Sequence, residues 1–378
     1  MSIITETRVS YPKTVIDDPI LGKLYYEIYE DKTDSCKFDK NKNICQMPFY
    51  DIDVHANGNV YICCTSWNPA CIGNLLEEDL TSIWTGIKAQ TVRNSITDGS
   101  YRYCNSKTCT MMLAGEGHKL LPKDTFKAPN SKFPSNVVFS IDYSCNLVCP
   151  SCRSVKSITP DNFDRSLTIL RKVFDSVFSE PHDQHITITF DGAGEIFFSP
   201  VYRELFDTAE VFKTPEKWPN FRLCLCTNGT MMTEKIQNKY KVLFDRASWT
   251  RISVDAGNKS SYEIVRRGGD WDLLWKNLDY LYHNTIKQDP EKNWAWNVIL
   301  QRDNLESIPE LVKLAYNYPD KLPEISIVNI LKWGVASQKE FDDMAVWIPD
   351  NPYYERAKEI LSLPEVVQFP KIFMPILK

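Results

Sequence analysis

Short apolar runs rich in β-branched and aromatic residues alternate with helix-like patterns through residues 137–335. Each such run, bounded by turn residues, predicts a strand, and the strands fall at 137–142, 185–190, 221–227, 250–255, 294–300 and 324–330. Most of the gaps have the 3.6-residue spacing of helices, which predicts helices at 161–178, 201–213, 232–246, 259–267, 271–284 and 305–317. This alternation predicts parallel strands with right-handed crossovers. Six units are fewer than the eight of a closed barrel, so we expect an α/β fold with a partial (β/α)6, TIM-like barrel and an active site at the C-terminal strand ends.

The pattern before residue 137 is different and predicts a small, cysteine-rich α+β module. The run YDIDVHANGNVYICC alternates apolar and polar residues around Asn57-Gly58, which predicts a hairpin with a type I′ turn. Apolar spacing over residues 80–96 predicts a helix, and the three prolines between Lys119 and Asn136 predict a linker. The expected organisation is an extension, the module, the linker, the barrel and a helical tail, at 1–44, 45–118, 119–136, 137–335 and 336–378.

Charge and composition exclude several classes of function. The 378 residues carry a net charge of −5 without a basic block, so neither nucleic acid nor an anionic membrane is an expected partner. No stretch has the length and apolarity of a membrane span, and the start MSIITETRVSYPK lacks the features of a signal peptide. We therefore expect a cytoplasmic protein. Its twelve cysteines then favour metal ligands over disulfides, because that compartment keeps thiols reduced.

Three of these cysteines, Cys145, Cys149 and Cys152, lie within DYSCNLVCPSCR, just after the first predicted barrel strand. Soft thiolates suit zinc or an iron-sulfur cluster, but structural zinc takes four protein ligands. A 4Fe-4S cluster on three cysteines leaves one iron open for another molecule. The alternatives are a zinc site completed from elsewhere in the chain and three buried thiols without a metal.

The spacing C-x3-C-x2-C after a first strand resembles the signature of radical S-adenosylmethionine (SAM) enzymes, and further segments carry the same resemblance. FDGAGEIFFSP is similar to the family's Gly-Gly-Glu-Pro segment, which meets the SAM amino group, with Gly192, Gly194 and Glu195 in the matching places. Ala193 and Ile196 depart from the commonest form. Ser151 stands where many members have an aromatic residue that packs on adenine.

Later strand ends extend the resemblance. Asn228 in CTNGT matches the family's TNG; Ser253 and Asp255 match positions near the SAM ribose; and Arg266 matches an arginine that often meets the SAM carboxylate. Each residue also has a structural alternative, since glycines make turns, Asp255 can cap a helix and Arg266 can form a surface ion pair. Their order along the chain, each at a strand end, favours the functional interpretation.

The resemblance implies that the reduced cluster cleaves bound SAM to a 5′-deoxyadenosyl radical, which abstracts hydrogen from a substrate. The open iron of the Cys145, Cys149 and Cys152 cluster is thereby the catalytic centre. The reaction also requires an electron donor such as flavodoxin or ferredoxin.

The N-terminal module has its own resemblance. Cys45, Gly58 and Cys63 give C-x12-G-x4-C, and Cys104 and Cys109 follow the predicted helix. Together with the IGNL and SIW segments, this resembles the twitch module, a shorter relative of the SPASM domain, which implies an auxiliary 4Fe-4S cluster held by these four cysteines. The last pair is spaced C-x4-C instead of C-x2-C, so Cys64 and Cys71 remain alternatives to Cys104. The module also precedes the barrel, whereas it usually follows. Zinc on the same thiolates is the other alternative.

Three functions are compatible with these features. The first is modification of a ribosomally synthesised peptide by epimerisation, crosslinking or backbone excision. We expect this function to need a separate leader-peptide recognition protein, because residues 1–44 are too few for the usual leader-binding domain. The tail around Trp333 and Trp347 resembles tails of proteins encoded with peptide precursors or polysaccharide genes. The second is a dehydrogenase of a small alcohol or sugar intermediate, and the third is a non-catalytic metal-binding scaffold. Epimerisation needs a hydrogen donor, for which the remaining cysteines are candidates: Cys36, Cys64, Cys71, Cys224 and Cys226.

Overall fold

The computed structural model describes residues 13–27, 37–106, 108–115, 117, 119–158, 162–191, 194–332 and 337–374. They divide into two compact units. The first takes the described residues up to Ile141 together with 162–189 and 207–221. The second takes the described residues within 142–161 and 190–206 and those from Arg222 onward. The segment around the first predicted barrel strand, up to Ile141, lies in the same unit as the cysteine-rich segment.

The chain has a mixed α/β architecture. Its strands are β1 (Lys13–Asp18), β2 (Gly22–Glu27), β3 (Asn43–Cys45), β4 (Asp51–His55), β5 (Asn59–Tyr61), β6 (Cys71–Asn74), β7 (Leu120–Pro122), β8 (Asn136–Ser140), β9 (Ile186–Phe190), β10 (Phe221–Thr227), β11 (Ala247–Ser253), β12 (Asn293–Leu300), β13 (Glu324–Asn329) and β14 (Ile372–Phe373).

Its helices are α1 (Met47–Tyr50), α2 (Leu80–Thr85), α3 (Ile87–Thr97), α4 (Thr110–Ala114), α5 (Phe163–Val177), α6 (Pro200–Thr208), α7 (Glu210–Lys213), α8 (Glu234–Lys239), α9 (Lys241–Arg246), α10 (Lys259–Val265), α11 (Trp271–Leu281), α12 (Ile308–Ala315), α13 (Gln338–Met344), α14 (Tyr354–Leu361) and α15 (Pro364–Val367). Short 3-10 turns occupy Pro215–Lys217 and Leu305–Ser307, and a π-turn, Tyr282–Ile286, follows α11. Among the described residues, no helix combines the length and the apolarity that a membrane crossing requires.

In the first unit the predicted hairpin is present, and it is joined to a strand of the alternating region. The strand order is β6-β5-β4-β8-β9, in which β4, β5 and β6 pair antiparallel and β4 pairs with β8 in parallel. The predicted linker is partly strand, because β7 pairs with β3 and Cys45 lies opposite Leu120. Sequence pattern alone misses this pair, since each strand has only three residues and their partners are distant in the chain.

The hairpin turn differs from the predicted type. The Gly58 amide donates to the His55 carbonyl at 2.9 Å, and Gly58 has φ of +85°, whereas Asn57 is not among the residues with positive φ. A type I′ turn needs two consecutive residues with positive φ. The connection is therefore a three-residue loop, 56–58, that ends on a left-handed glycine.

In the second unit β10 to β14 pair in parallel in chain order. Along β12 the side chains of Trp294, Trp296, Val298 and Leu300 are buried. On the alternating positions Ala295 is buried, whereas Asn293, Asn297 and Ile299 are partly buried. Because side chains alternate across a strand, one face of this sheet is buried along β12 and the other is more open.

Several predicted helices are interrupted. The helix predicted over 80–96 divides at Gly86, whose extended backbone brings the Ser82 carbonyl within 2.6 Å of the place where a Cβ would stand. The helix predicted over 232–246 divides at Tyr240, and that predicted over 201–213 divides at Ala209. Apolar spacing runs through these breaks, so periodicity alone does not reveal them.

Candidate iron-sulfur and SAM sites

The four cysteines predicted for the auxiliary cluster converge in the first unit. Cys45 ends β3, Cys63 follows β5, and Cys104 and Cys109 lie in the loop between α3 and α4. All six pairs among these thiols interact electrostatically. Burial raises the pKa of Cys45 to about 12 and also raises the pKa values of Cys63 and Cys104. Thiols are soft donors that suit an iron-sulfur cluster or zinc, either of which displaces the thiol protons.

Local contacts hold this loop in place. Tyr101 has φ of +49°, the Cys104 amide donates to the Tyr101 carbonyl at 2.9 Å, and the Cys109 amide donates to the Asn105 carbonyl at 2.9 Å. The Tyr101 hydroxyl accepts from the Cys45 amide at 3.3 Å, and Asn68 Nδ2 lies 3.9 Å from Cys104 Sγ. Asn68 and Tyr101 are thus part of the site, although nothing in the sequence distinguishes them.

The two alternatives to Cys104 lie in other surroundings. Cys71 Sγ donates to the Gly73 carbonyl at 3.3 Å and is near Lys88 and Glu78. Cys64 interacts with its neighbour Cys63, but its other contacts are with Asp53 and residues 66–67. Cys36 is outside the described residues. Among the described residues, no group of three or more Cys, His, Asp or Glu side chains is arranged to hold a single metal ion.

The triplet lies in the second unit. Cys145 and Cys149 are buried and Cys152 is exposed, and Cys149 interacts electrostatically with both of the others. The Cys145 amide donates to the Ser157 carbonyl at 2.7 Å, and the Val148 amide donates to the Arg267 carbonyl at 2.9 Å, so the loop is fixed at both sides. All three thiols lie on one loop, with Cys149 within electrostatic range of the other two.

Arg153 is a residue that the sequence argument missed. Its guanidinium interacts with all three thiols, and Nη2 lies 3.6 Å from Cys152 Sγ. A cation next to thiolates stabilises their charged form. The signal in the sequence is its position directly after Cys152.

Glu195 and Asn228 are joined in a buried network. The Glu195 carboxylate accepts from the Asn228 amide at 2.6 Å, from the Thr227 hydroxyl at 2.7 Å and from the Phe197 amide at 3.2 Å. Burial nevertheless raises the pKa of Glu195. Asn228 Nδ2 donates to Asn146 Oδ1 at 2.9 Å and lies 3.8 Å from Cys145 Sγ. The predicted residues thus brace the triplet loop, with both Glu195 oxygens already engaged.

Gly194 packs against the loop that leads to Cys145. A Cβ at this position would overlap the carbonyl oxygens of Asp142 and Ser144, and the Glu195 amide donates to the Ser144 carbonyl at 2.8 Å. Only a residue without a Cβ allows this approach. Gly192 is outside the described residues.

Asp255 and Arg266 form a buried ion pair, with Arg266 Nε 2.6 Å from Asp255 Oδ2. Asp255 Oδ1 accepts from the Ile299 amide at 2.7 Å, and Asp255 has φ of +62°, an uncommon conformation for a non-glycine residue. Arg266 Nη1 lies 3.7 Å from Cys149 Sγ. Burial raises the pKa of Asp255. Burial alone would lower the pKa of Arg266, but the charges of Asp255 and Cys149 outweigh it and raise that pKa. Ser253 ends β11 opposite Asn297.

Residues 45–110 match the family model of the SPASM iron-sulfur cluster-binding domain. The match begins at Cys45 and includes Cys63, Cys104 and Cys109. This SPASM-like region therefore has both the family's pattern and four converging thiols, and an iron-sulfur cluster is the group that such a domain binds. The matched residues precede the triplet in the chain.

Solved structures give weaker likenesses. They include native anSMEcpe with bound AdoMet, at 18% identity over 55% of this chain and 57% of that chain with a TM-score of 0.38. Another is Streptococcus suis SuiB bound to S-adenosylmethionine, at 15% identity over 63% and 49% with a TM-score of 0.40. A third is anSMEcpe with AdoMet and the Kp18Cys peptide, at 18% identity over 55% and 56% with a TM-score of 0.39. The chain thus spans about half the length of these proteins. No curated protein matches the sequence.

Proposed function

We propose that the protein is a radical SAM enzyme whose active site is built on Cys145, Cys149 and Cys152. The observation that carries this proposal is that three thiols lie on one loop, with Cys149 within electrostatic range of the other two, beside two basic groups, Arg153 and Arg266. Three thiolates hold a 4Fe-4S cluster with one iron open, and SAM bound there supplies the 5′-deoxyadenosyl radical that abstracts hydrogen.

The chain's own residues prepare this site in three ways. Gly194 lets the segment before Glu195 pack against the loop of residues 142–144, and Glu195 with Asn228 braces Cys145. Arg266, held by Asp255, places a cation beside Cys149. We propose the following set around SAM, in direct contact or as support for the residues in contact: Gly192, Gly194, Glu195, Asn228, Ser253, Asp255 and Arg266.

We propose that Cys45, Cys63, Cys104 and Cys109 hold a second 4Fe-4S cluster. The electrostatic contact among all four thiols supports Cys104 over Cys64 and Cys71. With four protein ligands such a cluster has no open iron, so it suits electron transfer or substrate positioning. We place the SAM site in residues 137–335 and the auxiliary site in 45–118.

The proposed substrate is a ribosomally synthesised peptide, delivered by a separate leader-peptide recognition protein, with flavodoxin or ferredoxin as electron donor in the cytoplasm. A pull-down of a candidate precursor, with and without a small partner protein, tests this choice. Binding supports the peptide, whereas turnover of a small alcohol or sugar without any peptide binding favours the dehydrogenase.

The hydrogen donor that epimerisation would need has a structural candidate in the second unit. Cys224 and Cys226 lie on the same side of β10; their thiols hydrogen-bond to each other, and both interact with Arg251. This side of β10 belongs to the more open face of the sheet, since Cys226 lies opposite Arg251 in β11. Replacement of each thiol by serine tests the assignment. If a thiol is the required donor, its replacement leaves hydrogen abstraction intact but blocks product formation.

The alternative of a non-catalytic scaffold is tested by the metal itself. Anaerobic reconstitution with iron and sulfide, followed by assay of 5′-deoxyadenosine, distinguishes the two. Iron at both sites with SAM cleavage supports the enzyme. Zinc at the thiols without cleavage favours the scaffold.

A further inference from the structure

The loop that carries the triplet also carries several exposed apolar side chains. Val155 is 73% exposed, Ile158 is 61% exposed and Tyr143 is 51% exposed. A single exposed apolar side chain is ordinary, whereas a group of them on one surface marks an interaction site. All three belong to residues 143–158, the stretch that also contains the triplet.

Two contacts hold the beginning and the end of this loop side by side. Arg153 Nη1 donates to the Tyr143 carbonyl at 2.6 Å, and the Cys145 amide donates to the Ser157 carbonyl at 2.7 Å. The segment 153–158 therefore runs beside the segment 143–145. The exposed apolar side chains thus come from adjacent segments of one loop.

The loop is basic, unlike the chain as a whole. Residues 143–158 contain Arg153 and Lys156 and no Asp or Glu, whereas the whole chain has a net charge of −5. Lys156 is exposed, and within the described residues its ammonium group forms no hydrogen bond or ion pair. On a chain that is acidic overall, this loop is therefore a place where a negatively charged protein surface is attracted.

The same loop contains the exposed thiol of the triplet. Cys145 and Cys149 are buried, whereas Cys152 is exposed and directly precedes Arg153. Electron transfer between two proteins requires their redox groups to be close together, because its rate falls steeply with distance. A protein that docks on this loop brings its redox group to the exposed side of the triplet.

We propose that Tyr143, Val155, Lys156 and Ile158, here called the loop surface, are the docking site of an acidic electron-donor protein. Such a donor is required by the proposed function, on which this assignment rests. One electron leaves the reduced donor and enters the 4Fe-4S cluster of the triplet, and no covalent bond forms or breaks in this step.

The size and chemistry of the loop surface fit this kind of partner. Electron-transfer pairs form small, transient interfaces, for which a few apolar side chains beside a free cation are sufficient. The positive charge of Lys156 accelerates the encounter with an acidic donor, and salt screens this attraction. The apolar side chains contribute contacts that do not depend on salt.

Carbodiimide crosslinking tests the docking site without SAM chemistry. The reconstituted protein is mixed with flavodoxin, and the reagent joins flavodoxin carboxylates to the lysines that contact them. We expect mass spectrometry to find Lys156 in the crosslinked peptides. Lys156→Arg keeps the charge but removes the reactive amine, so the yield of crosslinked product should fall. Lys313→Arg is the control, because Lys313 is an exposed lysine of α12, and it should leave the yield unchanged.

A second experiment compares two reductants. Formation of 5′-deoxyadenosine is measured with reduced flavodoxin and with dithionite, a small reductant that needs no docking surface. In Lys156→Glu we expect the flavodoxin concentration for half-maximal rate to rise several-fold at low salt, with an unchanged dithionite-driven rate. The double change Val155→Ser with Ile158→Ser should have a similar effect that depends less on salt. Lys313→Glu makes the same charge change on α12 and should leave both rates unchanged.

Each outcome supports or overturns the docking site. Equal flavodoxin dependence in Lys156→Glu and Lys313→Glu overturns it, and so does crosslinking only at lysines other than Lys156. A dithionite-driven rate that falls as far as the flavodoxin-driven rate also overturns it, because the substitution then acts on the cluster itself. Crosslinking of Lys156 to a precursor peptide or its recognition protein, but not to flavodoxin, shows that the loop surface binds substrate instead. Absence of 5′-deoxyadenosine with both reductants contradicts the proposed function and leaves the crosslinking result to decide the docking site.

Discussion

Arg266 Nε lies 2.6 Å from Asp255 Oδ2, and the same guanidinium reaches Cys149 Sγ at 3.7 Å through Nη1. The family resemblance assigns these two residues to separate contacts with SAM, near the ribose and at the carboxylate. The structure joins them to each other and joins Arg266 to Cys149. The pair therefore fixes the position of a cation beside the triplet, whether or not either residue also contacts SAM.

The ion pair gives a first prediction. Arg266→Met leaves the Asp255 carboxylate buried without its partner, and loss of one member of a buried pair costs about 3–5 kcal/mol. We expect the free energy of unfolding, measured by urea denaturation, to fall by about this amount. Arg267→Met is the matched control, because Arg267 is exposed. Equal effects of the two changes would show that the pair does not stabilise the fold.

The second prediction concerns the auxiliary cluster. Cys104→Ala removes one of the four mutually interacting thiols, so we expect loss of iron and of the second cluster's spectroscopic signal after reconstitution. Cys71→Ala, whose thiol contacts the Gly73 carbonyl, should keep both. The assignment is wrong if Cys71→Ala loses the cluster and Cys104→Ala retains it.

The third prediction concerns Gly194. In Gly194→Ala the added Cβ overlaps the carbonyl oxygens of Asp142 and Ser144, and overpacking of this kind costs about 1–3 kcal/mol. Because that segment leads to Cys145, we expect weaker SAM binding by calorimetry as well as lower stability. Gly22→Ala is the comparison, since no atom lies within 4 Å of its Cβ position and the strain there comes from φ of +73°. SAM affinity equal to that of the unmodified protein would contradict the packing argument.

The fourth prediction concerns the buried carboxylate of Glu195. Glu195→Gln replaces an acceptor of three hydrogen bonds by a group whose amide must face at least one donor. An unmatched buried donor costs about 1–3 kcal/mol, so the thermal midpoint should fall. Glu234→Gln, at the exposed start of α8, should leave the midpoint unchanged. If the two midpoints agree, the network does not depend on the carboxylate.

The sequence predicted the elements of the second unit well, because strong β-runs are visible locally. β10 was placed at 221–227, which are its observed bounds, and β12 and β13 differ from the predicted spans by one residue at one end. The triplet was found because all three thiols lie on one loop. The hairpin turn type was wrong, since Asn-Gly suits two kinds of turn and the strand register decides between them.

What the sequence did not reveal depends on distant partners. Asn146 and Thr227 acquire their roles only because the fold brings the end of β10 against the triplet loop and Glu195. The strand β7 was taken for part of a linker because its partner β3 lies far away in the chain. Pairings of this kind are set by tertiary structure, which a local pattern does not contain.

The most direct test of the central claim is the reaction itself. The protein is reconstituted anaerobically with iron and sulfide, reduced, and given SAM, and 5′-deoxyadenosine is measured beside a Cys149→Ala variant. We expect SAM cleavage in the unmodified protein and none in the variant, with iron retained at the SPASM-like region in both. Iron bound at the triplet without any 5′-deoxyadenosine, or cleavage that persists in Cys149→Ala, would contradict the account.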